Sequence, residues 1–181
     1  KCAEVAARTL TQLGYPPKGV ELARIAAYMH DIGNVVNRHD HALSGATMAF
    51  RILDKMGMEP PDVAAVITAI GHHDDSTAYP VNAIAAALIL ADKTDVRRSR
   101  VRNKDMSTFA IPDRVNYSVE RSEVLLDLPG RTVTLSLSIN TEVCAVMDYF
   151  EIFLQRMLLS RKAAETLDLK FRLEINGQIL L

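Results

Sequence analysis

The chain of 181 residues is 49% hydrophobic and carries 21 Lys and Arg against 22 Asp and Glu, a formal net charge of -1. Such a chain can bury a core as one compact domain, or as one domain with an appendage, and its near-neutrality excludes a global field that collects polyanions. Two cysteines, Cys2 and Cys144, are too few for a disulfide framework, and no run of about 18 apolar residues proposes a membrane span, so a cytoplasmic setting is expected.

From Lys1 to about Asp95 apolar residues recur at helical spacing, broken at Gly14-Tyr15-Pro16-Pro17 and again from Gly57 to Pro61. Helices are predicted over 2–13, 19–31, 41–56, 62–73 and 82–95, joined by short connections that favour antiparallel neighbours. The first residue is Lys1 rather than Met, from which further residues upstream are expected. The second helix presents Leu22, Ile25, Ala26 and Met29 inward and ends in His30-Asp31-Ile32-Gly33, with Gly33 read as a chain-reversing residue. His41 opens the third helix, whose inner stripe is predicted as Leu43, Ala46, Phe50 and Leu53, with Gly45 allowing close approach; His39 is a rival for any ligand role.

Asp62 is predicted to cap the fourth helix. Val63, Val66, Ile67 and Ile70 form its buried face, and His73 extends that stripe inward, whereas His72 is rotated by about 100 degrees. On the fifth helix Ile84, Leu88 and Asp92 fall on one face of an apolar segment, which aims a carboxylate at the core. Burying it unpaired costs several kcal/mol, so Asp92 calls for a metal shared with His30, Asp31 and His73, or for a salt bridge from a neighbouring helix.

Beyond the arginine run from Arg97 to Arg102, a candidate phosphate-binding patch or a solvated loop, the hydrophobic period falls to two. Val124 to Leu128 and Val133, Leu135, Leu137 and Ile139 propose one hairpin about Pro129-Gly130. Thr141 is expected to cap a long helix to about residue 165, with Val143, Val146, Met147, Phe150 and Met157 on one face. Phe171, Leu173 and Ile175 before Asn176-Gly177 propose a second hairpin. All five histidines fall between residues 30 and 73. Together, imidazole nitrogens and carboxylate oxygens suit Zn, Mn, Fe or Co rather than Mg or Ca alone.

The succession His30-Asp31-Ile32-Gly33, His41-Ala42-Leu43-Ser44-Gly45-Ala46, Gly71-His72-His73 and Ala91-Asp92-Lys93 resembles the HD superfamily of metal-dependent phosphohydrolases, over roughly residues 1 to 102. Its extra histidines resemble the dinuclear branches, such as the HD-type diadenosine tetraphosphate hydrolases. The resemblance implies one or two divalent transition metal ions, with Fe, Mn, Zn, Co and Ni not distinguished. It implies His30, Asp31 and Asp92 as core ligands, Asp31 bridging two ions, and His41, His72 and His73 on the second. It also implies Asp31 and Lys93 in catalysis, Lys93 and Arg97 on the phosphate, and attack by a metal-bound hydroxide, whose parent water has its pKa lowered to about 7.

The family's first ligand is a first-helix histidine, typically four residues before a Val-Ala pair; here Val5-Ala6 follow Lys1, whose ammonium cannot coordinate unless deprotonated. Either the true histidine lies upstream or the site is altered. The expected molecule is therefore mainly α: an HD-domain helical bundle over 1–102, with a small C-terminal α+β extension over 103–181 built from two hairpins and a long helix and packed on the first. For the extension, a dimerisation surface, a substrate lid and a sensing element are the open roles, a homodimer among the expectations. The expected function is hydrolysis of a small phosphorylated substrate, a nucleotide among the candidates; the alternative is a catalytically degenerate HD module that binds a nucleotide or a protein partner. No membrane partner and no strong nucleic-acid signal are expected.

Overall fold

In the N-terminal half prolines and small residues set the helix starts and the packing faces. A computed structural model describes residues 1–101, 103, 105 and 108–180, so Arg102, the end of the arginine run, lies outside the described residues. The five expected helices are present as α1 (Cys2–Gln12), α2 (Pro17–Met29), α3 (His41–Lys55), α4 (Pro60–Gly71) and α5 (Ala83–Lys93). α2 and α4 each open on proline, whose fixed φ and missing N–H suit the first turn. α4 therefore starts earlier than expected: Glu59 is its N-cap, and Asp62 stands inside the first turn, where it pairs with Lys18 at 2.9 Å. Asn82 caps α5 by accepting the Ala85 N–H at 2.9 Å.

α5 is apolar all round, and a helix without a polar face must be enclosed. It packs against α1, α2 and α4 on one side and α7 (Val146–Thr166) on the other, and every residue from Ala85 to Lys93 is buried. The inner stripe of α3 differs from the expected one. Ala42, Gly45, Ala49 and Leu53 face inward, while Leu43 is 62% and Phe50 48% exposed. Small residues win that face because it must lie close to the 3-10 turn Ile32–Val35. A Cβ on Gly33 would stand 2.0 Å from the His41 carbonyl oxygen, and one on Gly45 would stand 3.3 Å from the Gly33 nitrogen. Gly33 is thus required for close approach and not for a left-handed backbone, which it does not adopt.

The C-terminal half adds α6 (Ile111–Ser118), β1 (Val119–Asp127), β2 (Thr132–Ile139), α7, β3 (Lys170–Ile175) and β4 (Gln178–Ile179). The two expected hairpins exist but merge into one sheet of order β1-β2-β3-β4. β2 and β3 pair in parallel, Val133 opposite Phe171 and Leu135 opposite Leu173, so α7 is the crossover between them. Asn140, not Thr141, organises the entry to α7: its side chain accepts the Glu142 N–H and its carbonyl the Val143 N–H, which delays the helix to Val146. The buried face of α7 is accordingly Tyr149, Phe153, Met157, Ser160 and Ala164, which keeps Met157 of the expected set but not Met147, which is 75% exposed. Helices and sheet share one continuous apolar core. Among the described residues no helix is long and apolar enough to cross a membrane.

Candidate metal centre

Three chain reversals bring the chemistry to one place. α2 ends with His30 as its C-cap and Asp31 just beyond; the close contact of Gly33 with the start of α3 sets His41 beside them; and the end of α4 lays His73 against both. From below, the last turn of α5 inserts Asp92.

In each of the three histidines Nδ1 faces a backbone carbonyl: His30 donates to Ala27 O at 2.8 Å, His41 to Arg38 O at 3.0 Å and His73 to Ile70 O at 2.6 Å. A carbonyl only accepts, so a proton sits on Nδ1 of each ring and Nε2 is the nitrogen turned toward the cluster. His41 Nε2 and His73 Nε2 stand 3.2 Å apart, and Arg38 Nη1 donates to the former at 3.4 Å. Burial pushes His73 down to about 4, so it is uncharged near neutrality. Two lone pairs at this distance repel unless a cation lies between them, and the donor set fits a divalent transition metal.

Carboxylates complete two triads whose ligand atoms lie within 4.8 Å of one another: His30, His73 and Asp92, and Asp31, His41 and His73. Asp31 Oδ2 is 3.4 Å from His30 Nε2, and its Oδ1 is 3.4 Å from His41 Nε2, so its two oxygens face the two halves of the cluster. Asn34 steadies Asp31 by donating to Oδ1 at 2.7 Å. Burial raises the Asp92 pKa, but the His30 hydrogen bond and the charges of Lys93 and Arg156 outweigh it and hold the carboxyl well below the usual range. For His30, burial lowers the pKa and is outweighed by the Asp92 hydrogen bond, leaving it raised.

The remaining candidates fall less neatly. His72 belongs to neither triad: it caps α4, with Nδ1 on the Thr68 carbonyl at 2.9 Å, because the step from His73 turns it to another side. His39 is exposed and pairs with Asp40. Lys93 is buried, each of its Nζ contacts to Asp92 and Asp75 being 2.7 Å, so its charge is already matched. Arg97 donates from Nε to Asp95 at 2.7 Å and from Nη1 to Ser99 at 2.9 Å, at the rim of a cleft of about 770 Å³ that Lys1, His30, Asp31 and Asp92 also line.

A family model for the HD domain matches residues 1–105. The chain belongs to the HD family, the superfamily of metal-dependent phosphohydrolases. No curated protein and no solved structure gives a significant match.

Within this HD fold, Lys1 lines the same cleft as His30 and Asp92, and its ammonium reaches Asp95 at 3.2 Å. Asp95 also draws in Arg97 and Arg100, at 2.7 and 3.2 Å, making a carboxylate hub that the sequence reading passed over although it lies one helical turn beyond Asp92. Arg156 was missed as well. It comes from α7, donates to the Asp92 carbonyl at 2.9 Å and stands 3.8 Å from Asp92 Oδ1, and its position on a long amphipathic helix carried no signal.

Proposed function

We propose that the chain is a metal-dependent phosphohydrolase whose ligands are His30, Asp31, His41, His73 and Asp92. The observation that carries this reading is the convergence of three carbonyl-anchored imidazoles, through their Nε2 atoms, on two carboxylates. His73 has one free nitrogen and stands in both triads, so it serves one ion at a time. With one ion the site chooses between the triads. With two, His30 and Asp92 would hold one ion, His41 and His73 the other, and Asp31 would be shared between them.

Bound ions of this kind supply an activated water and neutralise charge on a phosphoryl oxygen. The chain's own residues do the rest: Asn34 and Arg38 orient Asp31, the Ala27, Arg38 and Ile70 carbonyls fix the ring tautomers, and Lys93 holds Asp92 against Asp75. Arg97 at the rim of the wide cleft is the residue proposed to meet the rest of a phosphorylated substrate.

Two observations favour a second reading, an HD module that binds without hydrolysing. Lys1 brings a cation where a ligand is expected, and Lys93 is fully engaged by two carboxylates. The two readings separate in one experiment: metal content of the purified chain by mass spectrometry, followed by phosphate release from p-nitrophenyl phosphate. Bound metal with turnover that is abolished in Asp31→Ala supports the hydrolase. Metal without turnover supports the binding module, and a chain that takes up no metal when it is offered refutes the hydrolase.

A further inference from the structure

Against Asp31, His41, His73 and Asp92 lies a second, smaller cavity of about 90 Å³, lined wholly by polar side chains. By the same measure a single water needs about 10–15 Å³, so the space admits a phosphoryl group. It adjoins the wide cleft, with Asp31, Arg38, Asp92 and Arg100 lining both.

The charge around this cavity is balanced. Asp31, Asp74, Asp75 and Asp92 line it on the negative side, and Arg38, Lys93, Arg100 and Arg156 on the positive. Each divalent ion bound by the triads therefore adds two positive charges with no protein counter-charge, and these only an incoming anion can match. Among these cations Arg156 is largely shielded from solvent, unlike Arg38, and stands farther from a carboxylate than Lys93 or Arg100 does. Its Nη2 holds the Asp92 backbone carbonyl, it stands 3.8 Å from the Asp92 carboxylate, and its Nε–H is buried without an acceptor among the described residues. A buried guanidinium N–H without a partner costs stability, and the planar fork of arginine matches the oxygens of a phosphate.

We propose that Arg156, carried to the metal centre by the C-terminal helix α7, contacts the anion and completes a pocket for the terminal phosphoryl group of a phosphomonoester. The inference rests on the metal-centre reading above. It gives the C-terminal segment a direct part in the site: the helix that crosses between β2 and β3 also delivers a binding residue beside Asp92. The ester's remaining group extends into the wide cleft beside Arg97 and Arg100.

The test is calorimetric titration of inorganic phosphate into the full chain, Mn²⁺-loaded and metal-free, for wild type, Arg156→Met and Arg156→Lys. The expected result is phosphate binding only in the loaded protein, with affinity about tenfold or more weaker in Arg156→Met and an intermediate value in Arg156→Lys, which keeps the charge but loses the fork. Metal uptake is expected to be unchanged or tighter in Arg156→Met, where a competing cation near Asp92 has been removed, and unchanged in Arg156→Lys. A residue that only shapes the fold would weaken metal uptake and leave the phosphate affinity of the loaded fraction alone, and that pattern overturns the proposal. So does equal phosphate affinity in wild type and Arg156→Met, or dimethyl phosphate binding as tightly as phosphate, since a cavity without an apolar wall has no place for a second ester group. If Arg156→Met does not fold, Arg156→Lys carries the same comparison. Loaded wild type that binds no phosphate refutes the phosphohydrolase reading together with this one, whereas bound phosphate that ignores Arg156 refutes this one alone.

Discussion

Replacing Gly33 with alanine tests how the fold builds the site. The added Cβ would lie 2.0 Å from the His41 carbonyl oxygen, 2.6 Å from the Gly45 nitrogen and 2.6 Å from Ser44 Oγ. Two of these are backbone atoms at the start of α3, so relief requires moving the 3-10 turn away from the helix, and with it Asp31 away from His41. Overpacking of this kind costs about 1–3 kcal/mol, occasionally more. For a chain of this size each kcal/mol shifts the melting temperature by roughly 2–4 °C, so a fall of roughly 2–12 °C is expected. Gly19 provides a control of opposite sign. It lies in α2 with nothing within 4 Å of its would-be Cβ, so Gly19→Ala should be neutral or stabilise by about 0.5–1 kcal/mol. Thermal unfolding followed by circular dichroism, with metal content measured on the same samples, reads both effects. Gly33→Ala melting within a degree of wild type and retaining its metal would refute the claim that this glycine contact sets the spacing of Asp31 and His41.

Two further outcomes are expected. His41→Ala should lower metal affinity by at least tenfold, while His39→Ala and His72→Ala, which remove rings outside both triads, should leave it within about twofold in a metal titration; these factors correspond to about 1.4 and 0.4 kcal/mol. The carboxylate hub at Asp95 should make the fold acid-sensitive. Burial raises its pKa, but the Arg97 hydrogen bond and the charges of Lys1, Arg97 and Arg100 outweigh it, leaving the folded value depressed. The associated stability is present above the unfolded carboxyl pKa of about 3.9 and is lost as pH falls through the folded value, so Asp95→Asn should flatten the acid limb of a melting-temperature profile. An unchanged acid limb in that variant would count against the hub.

Local periodicity made much of this molecule legible. The five N-terminal helices, the inward aim of His73 and Asp92, the alternation of β2 and the Asn176-Gly177 turn each depend on residues a few positions apart, and the helical or extended backbone converts that spacing directly into direction. The HD motifs belong to the same class, since each places a histidine or an aspartate at a helix end. What local spacing could not decide was every choice that rests on a distant neighbour. α3 turns its small residues inward, not Leu43 and Phe50, because the turn at Gly33 lies against it. β2 and β3 pair in parallel across α7, with partners such as Val133 and Phe171 far apart along the chain. His41 rather than His39 or His72 faces His73 because three separate chain reversals meet there. The electrostatics of the centre are likewise tertiary. Lys93 is matched by Asp75, Lys1 is turned onto Asp95, and Arg156 is brought to Asp92 by a helix of the C-terminal segment, since a charge is neutralised by whatever the fold places within a few ångströms and that distance is not written in sequence order.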